Sequence, residues 1–229
     1  VLMIFFVVVA MASCGRKPME GYRQQPQLPP MHPDYTDITI PCNIAPLNFE
    51  IDSVDEIEVL IKGERDWTFR KRGSKMRFGE REWRKMLAEE RGNELLIHVT
   101  TLRDREHCGW RSFTWQISED SIDSYLSYRL IEPAYEVWNE LQIVERNVEN
   151  FDERLLGDNS STDGSCMNCH TSNRAEQPAT FMHVRGKRGG TIYSHEGKVR
   201  KINTATAHTS GSAVYGEIER GGRYGVFTT

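Results

Sequence analysis

The chain has 229 residues, 38% of them hydrophobic and 27% charged, which places it among globular proteins and excludes a low-complexity or collagen-like chain. With 29 Lys and Arg against 33 Asp and Glu the net charge is −4, so the molecule as a whole is not a nucleic-acid binder. The balance is uneven: from 180 to 229, eight basic residues face Glu196, Glu217 and Glu219, a net +5 that leaves −9 upstream.

Residues 1–14 are an apolar run that ends in Ala12-Ser13 before Cys14. The run is too short to span a bilayer. It resembles the lipoprotein signal peptides of Gram-negative bacteria, in which the cysteine after the small residues is lipidated, and this predicts a membrane attachment through an N-terminal lipid. No basic residue precedes the run, which predicts a start upstream of Val1. Residues 15–34 hold Pro18, Pro26, Pro29, Pro30 and Pro33 among glutamines and read as an extended tether. No acidic residue follows Cys14 directly, which favours a cell-envelope anchor that faces the periplasm.

A mainly β (α+β) fold is expected, beginning with a β-sandwich-like domain over 35–132. Strand composition marks 36–40, 47–51, 56–61, 67–72, 94–100 and 110–117. One helix is predicted over 80–91, where Trp83, Met86 and Leu87 share a face and Gly92 supplies a stop. Trp67, Trp110 and Trp115 read as core residues, with a sugar-stacking platform as the alternative. Cys42 and Cys108 are left as candidates for a disulfide. Over 121–141, Ile122, Tyr125, Leu126 and Leu130 fit a helix that Pro133 interrupts.

Cys166-Met167-Asn168-Cys169-His170 forms C-x-x-C-H, the attachment signature of c-type haem. Two thiols add across the two vinyl groups of one porphyrin, and the adjoining imidazole takes the iron. A thioredoxin-type pair belongs where a strand enters a helix, whereas 157–164 is loop chemistry. A zinc half-site and a local disulfide remain as alternatives, although no second close cysteine pair is present. The haem c-binding segment is assigned to 133–203. His170 is the proximal ligand, and the second axial position goes to His183, with Met182 next. The competing reading of His183 is a packed histidine. Arg185, with Lys187 and Arg188, is placed to meet the haem propionates or to be a solvated loop. A hairpin is predicted at 191–195 and 198–203 around Glu196-Gly197, and 204–229 reads as strand, turn and strand.

Residues 128–133 (Tyr-Arg-Leu-Ile-Glu-Pro), Val137-Trp138-Asn139, the C-x-x-C-H segment and the stretch from His183 to Thr191 resemble a family of envelope lipoproteins. In that family a cytochrome c-type segment precedes a TolB-like β-propeller. Residues 221–229 are similar to the strand that opens each TolB-like repeat, so the resemblance implies that 204–229 begins a propeller that continues past Thr229. It also implies covalent haem on Cys166 and Cys169, with His170 on the iron, and brings no enzymatic activity. The expectation is one haem c, an electron carrier rather than an enzyme, and a redox partner protein. The alternatives are an envelope scaffold that binds glycan or protein and a haem enzyme acting on peroxide.

Overall fold

The computed structural model describes residues 18–65, 67–131, 140–167, 169–173, 179–209, 211 and 213–228. Among them the chain is mainly β, with eighteen strands and one α-helix. It divides into two compact units, Val1–Ile122 and Asp123–Thr229. The apolar leader and Cys14 lie outside the described residues, as do Val137, Trp138 and Asn139 of the resemblance. No helix among the described residues is long and apolar enough to cross a membrane.

The first unit is built around β7 (Glu94–Arg103). One edge of β7 pairs antiparallel with β5 (Glu56–Lys62), which pairs in turn with β6 (Thr68–Gly73). The other edge is shared. Its first half pairs with β9 (Phe113–Ile117), and its second half with β8 (Glu106–Gly109). Between these partners Trp110, Arg111 and Ser112 face only His98 and Val99, so the interrupted strand carries one extra residue, as in a β-bulge. β3 (Ile38–Ile40) continues the sheet alongside β9, and β1 (Arg23–Gln24) runs parallel to β8.

Period-two alternation fills the inner face of this sheet. Ile57, Val59 and Ile61, then Leu95, Ile97 and Val99, then Phe113, Trp115 and Ile117 are each at most 2% exposed. Helix α1 (Glu80–Glu89) lays Trp83, Met86 and Leu87 on that face, within the expected range. The two-stranded ribbon of β2 (Met31–His32) and β4 (Glu50–Ile51) adds Met31 and Ile51. The sandwich-like layering is therefore a curled sheet on one side, with helix and ribbon on the other. The buried indoles keep their donors paired, Trp115 to the Tyr35 carbonyl at 2.7 Å and Trp83 to that of Ile44 at 2.9 Å. After α1, the fully buried carboxylate of Glu90 accepts from the backbone N–H groups of Glu64 (3.1 Å) and Arg65 (3.0 Å) and from Asn93 (3.1 Å).

Three expectations need correction. From residue 18 onward the supposed tether is seated on the sheet. Met19 and Met31 are buried, and the Gln25 N–H donates to the Gly109 carbonyl at 2.7 Å. Prolines at a sheet edge cost no ladder donor, so a proline-rich segment can dock there. Second, the helix fitted over 121–141 is replaced at 125–130 by strand β10 (Tyr125–Leu130), whose period-two pattern meets a partner strand. That strand belongs to the second unit, so residues 123–132 are not part of the first. Third, Cys42 and Cys108 are free thiols. Cys108 lies opposite Thr101, whereas Cys42 contacts the Glu119 carbonyl beyond the Glu94 end of β7. Seven residues of strand, about 23 Å, separate the two ends, far beyond disulfide reach.

Among the described residues the second unit contains three sheets. β10 pairs with β11 (Gln142–Asn147), and β11 with β12 (Glu153–Asp158). β13 (Cys169–Ser172), β14 (Thr180–Val184), β15 (Gly190–His195) and β16 (Lys198–Ile202) form an antiparallel meander. β17 (Val214–Ile218) and β18 (Gly225–Thr228) form a ribbon. The predicted turn between β15 and β16 is present, with Glu196 (φ 50°) and Gly197 (φ 70°) both left-handed, as a two-residue hairpin requires.

Candidate functional site

The approach to C-x-x-C-H is a pinned loop. Asp158 caps a single 3-10 turn (Asn159–Thr162) by accepting from the Ser160 N–H at 3.0 Å, and the Ser160 hydroxyl holds its carboxyl below the usual carboxylate range. The Asn159 amide and the Thr162 hydroxyl both donate to the Ser165 carbonyl, each at 2.8 Å. Asp163 and Gly164, at φ 54° and 73°, turn the chain back, and Asp163 pairs with Arg188 at 2.6 Å. The Arg185 N–H donates to the Cys166 carbonyl at 2.8 Å. Gly186 sits at φ 89°, where a Cβ would lie 2.7 Å from the Ser165 hydroxyl oxygen, so this approach requires glycine.

Cys166 is half-buried, Cys169 is buried, and neither is bridged. In the β13–β14 ladder Cys169 stands opposite His183, and His170 opposite Met182. Directly opposed residues share a face and successive residues alternate. The ladder therefore sorts the candidates into two groups: Cys169 with His183 on one face, and His170 with Met182 on the other. The sequence preference for His183 as the partner of His170 is not met in this arrangement, because the two project from opposite faces. The Arg185 side chain is exposed. His195 packs beside Tyr193, with ring centroids 6.0 Å apart, and His208 is exposed.

His183 is buried, and a chain of hydroxyls reaches its ring: Thr204 donates to the Gly211 carbonyl at 2.5 Å, the Thr191 hydroxyl lies 3.5 Å from that of Thr204, and His183 Nδ1 lies 3.1 Å from the Thr191 hydroxyl. Burial, followed by the charge of Arg185, lowers the pKa of His183 and keeps it neutral. Neutral imidazole with Nδ1 held by a hydrogen bond is the ligating and base-competent form. Thr191 and Thr204 were not legible as partners, because only the strand register brings Thr191 opposite His183.

The three tryptophans named as an alternative sugar platform are committed to packing. Trp115 is fully buried, Trp110 packs on the core with its indole donating to Thr101 at 3.1 Å, and Trp67 stacks edge-on against Phe69.

In kind, the residues present fit covalent haem: two unbridged thiols at the right spacing, with an imidazole directly after. No group of three or more His, Cys, Asp or Glu side chains among the described residues is arranged to hold a metal ion. The ladder sets a condition, since one porphyrin needs Cys169 and His170 on the same side of the backbone. Attachment therefore requires Cys169 and His170 to leave the extended conformation of β13.

The described residues define a mainly β protein of two units, the second carrying thiol and imidazole groups on one hairpin. The chain matches no family model, no curated protein and no solved structure.

Proposed function

We propose that the chain is a lipid-anchored, periplasm-facing module of the cell envelope that carries one haem c on Cys166 and Cys169, with His170 as the proximal iron ligand. A likeness to envelope lipoproteins with a cytochrome segment before a TolB-like propeller belongs to the same proposal. The observation that carries it is the donor set, two free thiols in C-x-x-C-H spacing. When bound, haem supplies a one-electron couple, and a second strong ligand makes the site a carrier rather than an enzyme. The chain's own part is to join the ring through the thiols, to hold the iron at His170 Nε2, and to surround the site with Arg185, Lys187 and Arg188. Because β13 must open on attachment, the closed register does not rank the two candidates, and His183, with Met182 next, would supply the second ligand to the iron.

Expression with a cytochrome maturation system tests this reading. The expected product is a covalently haem-stained band that is lost in Cys166→Ala and Cys169→Ala. Loading is also expected to remove hydrogen-exchange protection at Cys169 and His170, because β13 must open. Colourless protein after maturation overturns the haem reading and leaves the envelope scaffold as its replacement.

A further inference from the structure

β13 ends on a clamp. Asn173, the residue after the strand, is only 7% exposed, and its amide uses both donors and its acceptor oxygen. Oδ1 accepts from the Ala179 N–H at 2.7 Å, and the Asn173 N–H donates back to the Ala179 carbonyl at 3.0 Å. Nδ2 donates to two carbonyls of the turn between β17 and β18, those of Glu219 at 3.1 Å and Arg220 at 3.0 Å. That turn is held from other sides as well. The Tyr193 hydroxyl of β15 donates to the Gly222 carbonyl at 2.5 Å, and the Gly222 N–H donates to the Glu219 carbonyl at 2.9 Å. The Glu219 carboxylate accepts from the N–H groups of Gly221 (2.6 Å) and Arg223 (2.7 Å).

The two ends of β13 are therefore held differently. At the first end lie the pairs Cys169–His183 and His170–Met182, which must part if Cys169 and His170 are to reach one porphyrin. At the other end lie Thr171–Phe181 and Ser172–Thr180, with the Ser172 and Thr180 hydroxyls 2.7 Å apart, and then the clamp beside the buried Ala179. Opening thus begins at Cys169 and meets rising resistance toward Asn173. Past Ser172 it would have to break three hydrogen bonds of a buried amide in addition to the ladder, and a buried polar group left unpaired carries its full desolvation cost.

We propose that Asn173 is the hinge at which the opening of β13 stops: the haem-bearing stretch swings out as a short flap, while the turn between β17 and β18 stays docked. This rests on the reading of Cys166, Cys169 and His170 as the haem site. Asn173 is a positioning residue, acting through the strand rather than on the cofactor. Four steps of extended chain, about 13 Å, separate it from Cys169, so the clamp bounds how far the thiol and His170 travel from β14. Without the clamp, two ladder pairs alone would keep β13 on β14, and the opening would run on into Ala179 and the turn that Asn173 ties down.

The test compares site-resolved hydrogen exchange in the full chain with and without haem loading by a cytochrome maturation system. In the wild type, loading should remove protection at Cys169 and His170 and leave the amides of Asn173, Ala179 and Gly222 exchanging at their unloaded rates. In Asn173→Ala, loading should speed exchange at Ala179 and Gly222 several-fold over the same variant without haem, a ratio that cancels any loss of stability common to both forms. Asn173→Asp keeps the acceptor for Ala179 and loses both donors, so its rise should appear at Gly222 and not at Ala179; it carries the test where the alanine variant does not fold. Haem-stained wild type in which Asn173 and Ala179 lose protection together with Cys169, or variants whose rates loading leaves unchanged, overturn the hinge and leave the haem site standing. Haem-stained protein that keeps its protection at Cys169 and His170 overturns the opening, and the hinge with it. Colourless protein overturns the haem reading itself, and the hinge falls with that reading.

Discussion

In the first unit a sheet, a helix and a ribbon converge on one cluster of nineteen buried apolar side chains that runs from Met31 to Ile117. Among the described residues of the second unit, burial is divided between two small groups, one of Leu141, Ile143, Met167 and Val184 and the other of Ala179, Phe181 and Ile218. Exposed apolar residues follow the same division. On one face of the β10–β11–β12 sheet, Leu126, Leu130 and Leu155 are each at least half exposed around the buried Val144. Tyr215, Tyr224 and Val226 on the β17–β18 side are nearly three-quarters exposed or more. The first unit has the burial of a self-sufficient fold, whereas the described residues of the second have the thinner burial of elements that open or accept partners. C-x-x-C-H lies in the second, where leaving a two-strand ladder costs least.

The sharpest break of this comparison is a core truncation in each unit. Trp115→Ala removes a fully buried ring in contact with Trp83, Phe78 and Phe113 and is expected to destabilise the first unit by about 4 kcal/mol. Phe181→Ala removes the ring that meets Phe227 at 4.6 Å and should lower only the transition of the second unit. Denaturant unfolding followed by site-resolved hydrogen exchange should show two transitions, with the second unit opening first. Coincident transitions for both units would contradict the division.

A smaller effect tests the polar side of the first core. Glu90→Ala leaves the N–H groups of Glu64 and Arg65 and the amide of Asn93 without their acceptor, and is expected to cost roughly 1–3 kcal/mol. The loss should appear as early exchange of the turn after β5 and the C-terminal end of α1, while the second unit keeps its stability. A neutral result would mean that water replaces the carboxylate.

Most of the first unit was legible because its elements repeat at their own period. The alternation of Ile57, Val59 and Ile61 and the shared face of Trp83, Met86 and Leu87 each point to one structure. What escaped was long-range. The seating of the proline-rich segment on the first sheet is specified by Met19, a buried apolar residue, and by Glu58, which accepts from the Met19 N–H and whose place depends on the β5–β6 register. At 125–130, Leu126 and Leu130 satisfy a helical spacing and Leu126, Tyr128 and Leu130 a strand spacing, so only the pairing with β11 decides. The site was legible as chemistry and illegible as arrangement. Its residue types follow from C-x-x-C-H, but the separation of Cys169 from His170 depends on β13 meeting β14.

The mildest prediction uses one histidine from each unit. His98 in β7 lies 2.7 Å from the Ser112 hydroxyl through Nδ1, and burial, then the charge of Lys62, lowers its pKa. His183 is lowered by burial, then by Arg185. A histidine whose pKa is depressed on folding contributes stability that is fully present above its unfolded value, about 6.5, and is lost as pH falls toward the folded value. Both units should therefore weaken on acidification below about pH 6.5. His98→Gln keeps a polar partner for Ser112 while removing the titration, so it should flatten the acid limb of the first unit alone. His183→Gln should do the same for the second, where the hydroxyl chain through Thr191 and Thr204 remains to receive the amide. Parallel acid limbs in wild type and His98→Gln, measured by exchange at β7, would show that the acid sensitivity of the first unit comes from its carboxylates.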